Sequence, residues 1–222
     1  MGYQFDFQAI GGYLGLLLQG AAITLVLTAI ASTLGIAISI GGAATARWGH
    51  RWARTLVLAY VELIRNTPFL IQLFFIFFGL PSIGLQMTAL QAAVLAMTIN
   101  LTAYTIEILR AGIEAVPAGQ REAGLALGIG PVSVFIHVVL PQAVANVYPA
   151  LVSQIVITML ESAVVSQIAV TDLMHAADFI QSRTYRAFET YFAITLIYLA
   201  MALALRWLFA RAGRRLFAGR SR

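Results

Sequence analysis

From Phe7 to Ala46 the chain carries no charged residue. A helix that crosses a bilayer needs about 20 mostly apolar residues, so this run holds one crossing with material to spare. Composition extends the point to the whole chain. Hydrophobic residues make up 60% of the 222 and charged residues 10%, with a mean hydropathy of +0.87. Water-soluble domains run near ~45–50% apolar and ~25% charged, so a soluble globule is excluded. The expected fold class is all-α, a polytopic membrane helical bundle formed by a single domain over residues 1–222.

Five spans are read from the apolar runs and their punctuation. The first covers about Leu14 to Ala46, long enough that it must tilt, kink or lie partly in the interface. The second fits Thr55 to Gly79 and contains Glu62, Arg65 and Pro68, with a turn at 79–84 marked by glycine and proline. The third runs from Thr88 to Arg110, the fourth from Pro141 to Val170, and the fifth from Thr190 to Phe209. Between the third and fourth lies a stretch, Ala111 to Leu140, too short and too apolar to be a soluble domain. No internal repeat or low-complexity segment stands out.

Charge sets the expected orientation. All fourteen basic residues are arginine, against nine acids, for a net charge of +5. In a soluble protein such a balance would raise nucleic-acid binding; in a membrane chain it marks the cytoplasmic flank. Arg47, Arg51 and Arg54 follow the first span, and Arg110 and Arg121 follow the third. Arg206, Arg211, Arg214, Arg215, Arg220 and Arg222 end the chain, while only Arg183 and Arg186 fall on the other side. The expectation is an N-terminus outside and a C-terminus in the cytoplasm. Asp6 and the lack of a basic start argue against a cleaved signal peptide. There is no cysteine, so disulfides, thiolate metal sites and cysteine nucleophiles are impossible. His50, His137 and His175 are scattered, so no metal site and no catalytic residues are expected.

Ionisable groups within a membrane cost about 2.5–3.5 kcal/mol each on insertion scales, so each needs a reason. Glu62 and Arg65, and Glu107 and Arg110, stand three residues apart on a helix and can neutralise each other as structural pairs. Glu161 is the only acid of the fourth span. It can face a ligand's ammonium or cationic side chain, or sit at a helix end paired with a neighbouring subunit's arginine. Asn100, Thr102 and Tyr104 lie mid-span; asparagine can bond a zwitterion or a neighbouring helix. Gln154 and Gln167 are weaker cases of the same kind. Phe74, Phe75, Phe77 and Phe78 read as lipid-facing or packing residues.

The 111–140 stretch is expected to hold two short helices. One runs from Ala118 to Leu127, after Pro117 and before Gly128, a natural left-handed cap. The other starts at Pro131 and is stopped by Pro141. Together they can form a docking knob, or an amphipathic connector lying on the membrane.

The residues of this loop carry a resemblance. Glu122-Ala123-Gly124, three residues, Gly128, nine residues and Val138-Val139-Leu140-Pro141 resemble the EAA loop of ABC importer permeases, with Gly124 in place of alanine and Val138 in place of isoleucine. Arg65-Asn66-Thr67-Pro68 is similar to the Arg-Gly-Thr-Pro of the branch that carries polar amino acids (histidine, glutamine, glutamate, arginine and opines). So are Ala103-Tyr104, Glu107-Ile108, Arg110-Ala111-Gly112-Ile113, Ala115-Val116-Pro117, Gly119-Gln120 and Leu140-Pro141-Gln142-Ala143. Where that branch has Lys-Asp-Thr/Ser-Ser, this chain has Leu160-Glu161-Ser162-Ala163, which marks Glu161 and Ser162 as substrate-pathway candidates; Asn100, Thr102 and Tyr104 join them by their mid-span position.

The resemblance implies a half-pore in a bacterial inner membrane that pairs with itself or a sister permease. It implies a cytoplasmic ATPase dimer, docked through Glu122, Ala123, Gly124, Gly128, Leu140 and Pro141, and an extracytoplasmic substrate-binding protein. ATP and Mg would sit in the ATPase, since a chain without lysine cannot hold Gly-x-x-x-x-Gly-Lys-Ser/Thr. The competing reading is a self-sufficient secondary carrier or channel using Glu161 or Glu107; the lack of an inverted repeat counts against it. An intramembrane enzyme has still less support.

Overall fold

A computed structural model describes residues 5–217; Arg220 and Arg222 of the terminal arginine cluster lie outside them. Within that range the chain is helical, with no strand. After a single helical turn at Gln8–Gly11, the helices are α1 (Leu14–Trp48), α2 (Arg51–Arg65), α3 (Phe69–Ile83), α4 (Ala89–Glu114), α5 (Ala118–Ala126), α6 (Pro131–Ile168), α7 (Leu173–Thr184) and α8 (Ala187–Leu216). Of these, α1, α4, α6 and α8 are each long and apolar enough to cross a membrane.

Helix α1 spans 35 residues, roughly 52 Å at 1.5 Å per residue, well beyond a ~30 Å hydrocarbon core. Its two faces differ in size rather than polarity. Leu18, Val26, Ile30, Leu34 and Ile38 point outward, whereas Gly20, Thr24, Thr28, Ala31, Gly35, Ser39 and Ala43 are buried. Small residues let helix backbones approach when lipid gives no hydrophobic drive to association. At Gly20 the approach is backbone to backbone: a Cβ would stand 2.8 Å from the Asp172 carbonyl oxygen and the Leu173 Cα. The hydroxyl of Thr28 donates to its own helix at the Thr24 carbonyl, 2.8 Å away, which settles its polarity without a partner helix.

Helix α4 is the most enclosed of the long helices and packs between α1 and α6. Thr88 and Gln91 form a reciprocal capping box at its start. Its alanines 92, 93 and 96 and Met97, Leu101 and Leu109 form much of the core. Gly112 brings α4 onto α6, since a Cβ there would lie 2.7 Å from the Ala143 carbonyl. By contrast α8 is largely exposed, as a lipid-facing or subunit-facing helix must be.

Three expectations are corrected. The second span is not one helix from Thr55 to Gly79: α2 and α3 meet at 108° across Asn66–Pro68. Pro68 has no N–H and drives Thr67 out of the helical region. Local side chains cover the carbonyls at the break: Thr67 Oγ1 donates to Leu63 O at 2.9 Å, and Asn66 Nδ2 joins its own N–H on Glu62 O at 2.8 Å. Helix α2 is instead amphipathic, with Trp52, Leu56 and Leu63 along one exposed stripe and Val61 buried opposite.

Secondly, Pro141 does not stop a short helix. The chain runs from Pro131 through a π-helical turn at Phe135–Val139 into Leu140–Glu161. A wider turn accommodates the proline ring and its missing donor, and Gln142 Nε2 donates to the Val138 carbonyl at 2.8 Å. The loop therefore has one free-standing helix, α5, and the first turns of a span. Thirdly, α7 has no counterpart in the expected elements. Asp172 caps it by accepting from the His175 N–H at 3.0 Å, and Thr24 accepts from the Leu173 N–H at 3.3 Å, so α7 is bound to α1.

Candidate functional site

The arginine-rich end of the bundle presents α5. Pro117 precedes it, and Gly128 closes it with φ +75°. The Gly128 N–H donates to Leu125 O at 3.0 Å and the Ile129 N–H to Gly124 O at 3.2 Å, the paired bonds of a Schellman end. Glu122 and Ala123 face outward. Gly124 faces inward, where a Cβ would meet Val134 Cγ2 at 2.9 Å, so α5 is pressed onto the start of α6. Leu127 and Val132 are 79% and 69% exposed beside it. A short capped helix with small residues, Gln120, Arg121 and one carboxylate outward is suited to entering a groove on another protein. Leu140 and Pro141 are half-buried in the adjoining turn, a full span-start away from the exposed tip.

The second feature is the break between α2 and α3. Gln72, buried one turn past Pro68, donates from Nε2 to the carbonyls of Ile64 (2.8 Å) and Thr67 (3.0 Å) and to Thr67 Oγ1 (2.8 Å). Its Oε1 accepts from Asn100 Nδ2 at 3.0 Å. Asn100 thus bridges the broken helix to α4, and its Oδ1 is buried without a hydrogen-bond partner among the described residues. Thr102 donates to Thr98 O (2.7 Å) and reaches Gly35 O (3.4 Å). Tyr60 donates to the Ile99 carbonyl at 2.6 Å, a second tie from α2 to α4. Tyr104 lies under the Arg65 guanidinium, 5.5 Å from the ring centroid.

That contact replaces an expected one. Among the described residues Glu62 and Arg65 form no ion pair; Glu62 accepts from Asn66 Nδ2 at 3.0 Å while Arg65 turns to Tyr104. The helix ends at Asn66, which captures the carboxylate first. Glu107 and Arg110 do meet, with Arg110 Nε donating to Glu107 Oε2 at 3.0 Å, and Arg110 also reaches Glu114 at 2.6 Å. These groups line a cleft of about 430 Å³ with Arg47, Arg54, Glu62 and Arg65.

Glu161 ends the α-helical part of α6, half-buried, and its carboxylate has no partner among the described residues. Ser162 beside it is fully buried and donates to Met159 O at 2.7 Å, which takes it away from any open pathway. No described contact joins Glu161 to Asn100, Thr102 or Tyr104. Gln72 and Tyr60 are the residues that the sequence reading missed. The signal for Gln72 was present: a glutamine four positions after an intramembrane proline is placed to satisfy the carbonyls that proline frees. Among the described residues no group of three or more His, Asp or Glu side chains is placed to hold a metal ion.

Known proteins match over this whole framework. Residues 35–218 match the family described as binding-protein-dependent transport system inner membrane component. The arginine transport system permease protein ArtQ of Bacillus subtilis is 34% identical over 212 residues, covering 95% of this chain and 97% of that one. The glutamine transport system permease protein GlnP of Escherichia coli is 33% identical over 215 residues, covering 96% and 98%. Among solved structures, an amino acid ABC transporter with histidines superposes with a TM-score of 0.86 at 39% identity, over 96% of this chain and 100% of that one. The inward-facing MetNI methionine ABC transporter shares the fold, with a TM-score of 0.76 at 21% identity.

Proposed function

The chain belongs to the family of binding-protein-dependent transport system inner membrane components, and from that premise we propose how its parts divide the work of import. It is a multi-pass inner-membrane permease subunit of an amino-acid ABC importer, a class that works with an ATPase and a binding protein. The finer reading is that α5 docks on the ATPase, which alone holds ATP and Mg, so this chain is not an enzyme. A second permease, a copy or a sister, completes the pore. The arginine-rich end is cytoplasmic and the N-terminus lies outside, as the arginine bias supports. The substrate is a polar amino acid or opine, moved past the α2–α3 break and Glu161.

The observation that carries this reading is α5 itself, a Schellman-capped helix with Glu122 and Ala123 outward and Gly124 clamped to α6. The break supports the pathway: interrupted helices expose backbone groups within a membrane where polar substrates need them. Glu161 supports a cationic contact, since a half-buried carboxylate without a partner gains most from an ammonium or guanidinium group.

Gly128→Asp tests the docking. A left-handed conformation costs a residue with a Cβ roughly 1–2 kcal/mol, and the new carboxylate adds a charge at the contact. Membrane insertion should be unchanged, while co-purification of the ATPase or substrate-stimulated hydrolysis falls. Normal values for both would make α5 a plain connector. Uptake driven by an ion gradient without ATP would favour the secondary-carrier alternative.

A further inference from the structure

Trp48 closes α1, and its indole meets three elements at once. Phe135, in the π-helical turn of α6, stands edge-to-face at 5.5 Å between ring centroids. The Arg121 guanidinium of α5 lies 5.8 Å from the ring centroid and that of Arg47, on α1 itself, 6.0 Å. Both cations are within the ~6 Å range over which a guanidinium is attracted to an aromatic face. No other described aromatic side chain brings α1, α5 and α6 together.

The surroundings of this ring are open. An open cleft of about 310 Å³ lies beside it toward Thr45, Pro131 and Phe135. A second, also about 310 Å³, lies toward Ile113, Pro117 and Glu122. Trp48, Arg121 and Val139 line both. Both open to the outside and Trp48 is 38% exposed, so the indole is held by its edge contact and two cations rather than by a filled socket. It has room on either side. Meanwhile α5 and the start of α6 are locked together, because Gly124 leaves no space above Val134. The α5–α6 body is therefore stiff; Ala43 of α1 packs with Val134 and Val139 in the core, and beyond it Trp48 is the α1 side chain whose ring meets both α5 and α6.

We propose that Trp48 is a positioning residue that transmits displacement of the α5–α6 body to α1, so that events at α5 are felt along that 35-residue helix. This rests on the reading of α5 as the ATPase-docking helix. Trp48 itself needs no contact with the ATPase. Its removal should leave assembly intact while separating hydrolysis from transport, which a residue needed only for folding would not do.

The test uses the native transporter complex, purified through a tag on this chain and reconstituted in proteoliposomes with its binding protein. Trp48→Ala, Trp48→Phe and Gly128→Asp are compared for co-purified ATPase, ATP hydrolysis and labelled amino acid taken up per ATP. With Trp48→Ala, co-purification and basal hydrolysis should stay near wild type. Uptake per ATP should fall about tenfold, within the range of ordinary coupling free energies. Trp48→Phe, which keeps an aromatic edge against Phe135 and a smaller face for Arg121, should recover most of the loss. Unchanged uptake per ATP in Trp48→Ala, with Gly128→Asp impaired, overturns this inference alone. Loss of the ATPase from Trp48→Ala to the same degree as from Gly128→Asp makes Trp48 a docking residue and also overturns it. Normal behaviour of both variants removes the docking reading and the inference together.

Discussion

Replacing Gln72 by leucine tests whether the broken span is held by the polar bridge described above. Leucine has a similar volume, so the loss is one of hydrogen bonds rather than packing. The Thr67 carbonyl loses its side-chain donor, the Ile64 carbonyl keeps only the longer bonds from the Thr67 hydroxyl (3.3 Å) and N–H (3.4 Å), and the Asn100 amide, already lacking a partner at Oδ1, loses Gln72 Oε1 as well. A buried group left unbonded costs about 1–3 kcal/mol in soluble proteins, but hydrogen bonds between membrane helices average only about 0.6 and reach about 1.7. Two groups left unbonded and one weakened then give about 2 kcal/mol for Gln72→Leu. Asn100→Leu removes its own unpaired oxygen together with the bridge, so about 1 kcal/mol is expected. The double variant should cost less than the sum of the two by about 1 kcal/mol, because both singles break the same link. Reversible unfolding in mixed micelles, followed by helical circular dichroism against increasing SDS, gives the three free energies. Singles that add to within about 0.3 kcal/mol would show that the amides do not interact energetically, and the account of the break would be wrong.

Glu161→Gln should raise the amino-acid concentration for half-maximal uptake while the complex stays assembled; unchanged kinetics would argue against substrate contact, and a dissociated complex would make Glu161 an interface residue. Asp172 offers a pH test outside the spans. Its carboxyl is fully buried, and burial pushes it up from an ordinary 3.8 to about 6. The folded state therefore favours the protonated acid: that stability is complete below about pH 4 and is lost as pH rises through 6, by about 3 kcal/mol at the limit. Asp172→Asn should flatten the dependence, and a slope equal to wild type would assign it to other groups. For topology, a reporter active only in the cytoplasm should work fused after Arg222 and fail at Gly2; the reverse would invert every loop.

What could be read from the sequence follows from how locally each feature is encoded. The uncharged run ending at Ala46 and the apolar run starting near Thr88 became α1 and α4 nearly as bounded, because bilayer thickness sets a minimum length that apolar composition reveals. Gly128 was recognisable as a helix end because a positive φ favours glycine. Pro68 and Pro141 show where local reading fails. Both were visible, yet one broke a span through 108° and the other was absorbed by a π-helical turn. The difference lies in what captures the freed carbonyls: Gln72, Asn66 and Thr67 at the first, a wider turn and Gln142 at the second. Helix α7 was missed because its twelve residues are too short for a span and its stability comes from docking on α1 at Gly20 and Thr24. Likewise, Glu62 and Arg65 had pairing geometry by spacing, but a helix end at Asn66 and a ring on another helix changed their partners.

Whether α5 is the surface on which an ATPase acts can be measured directly, because of what the chain lacks. Without a native cysteine, Ala123→Cys introduces a unique thiol in this chain, on the outward face of α5. A maleimide carrying a photoactivatable group is attached there in the purified complex and illuminated, and Phe78→Cys, 61% exposed on α3, serves as the control. The Ala123→Cys variant should cross-link to a chain that mass spectrometry shows to contain Gly-x-x-x-x-Gly-Lys-Ser/Thr, and the control should not. A thiol at 123 that labels fully yet never captures that chain, with the ATPase present in the same complex, would contradict it.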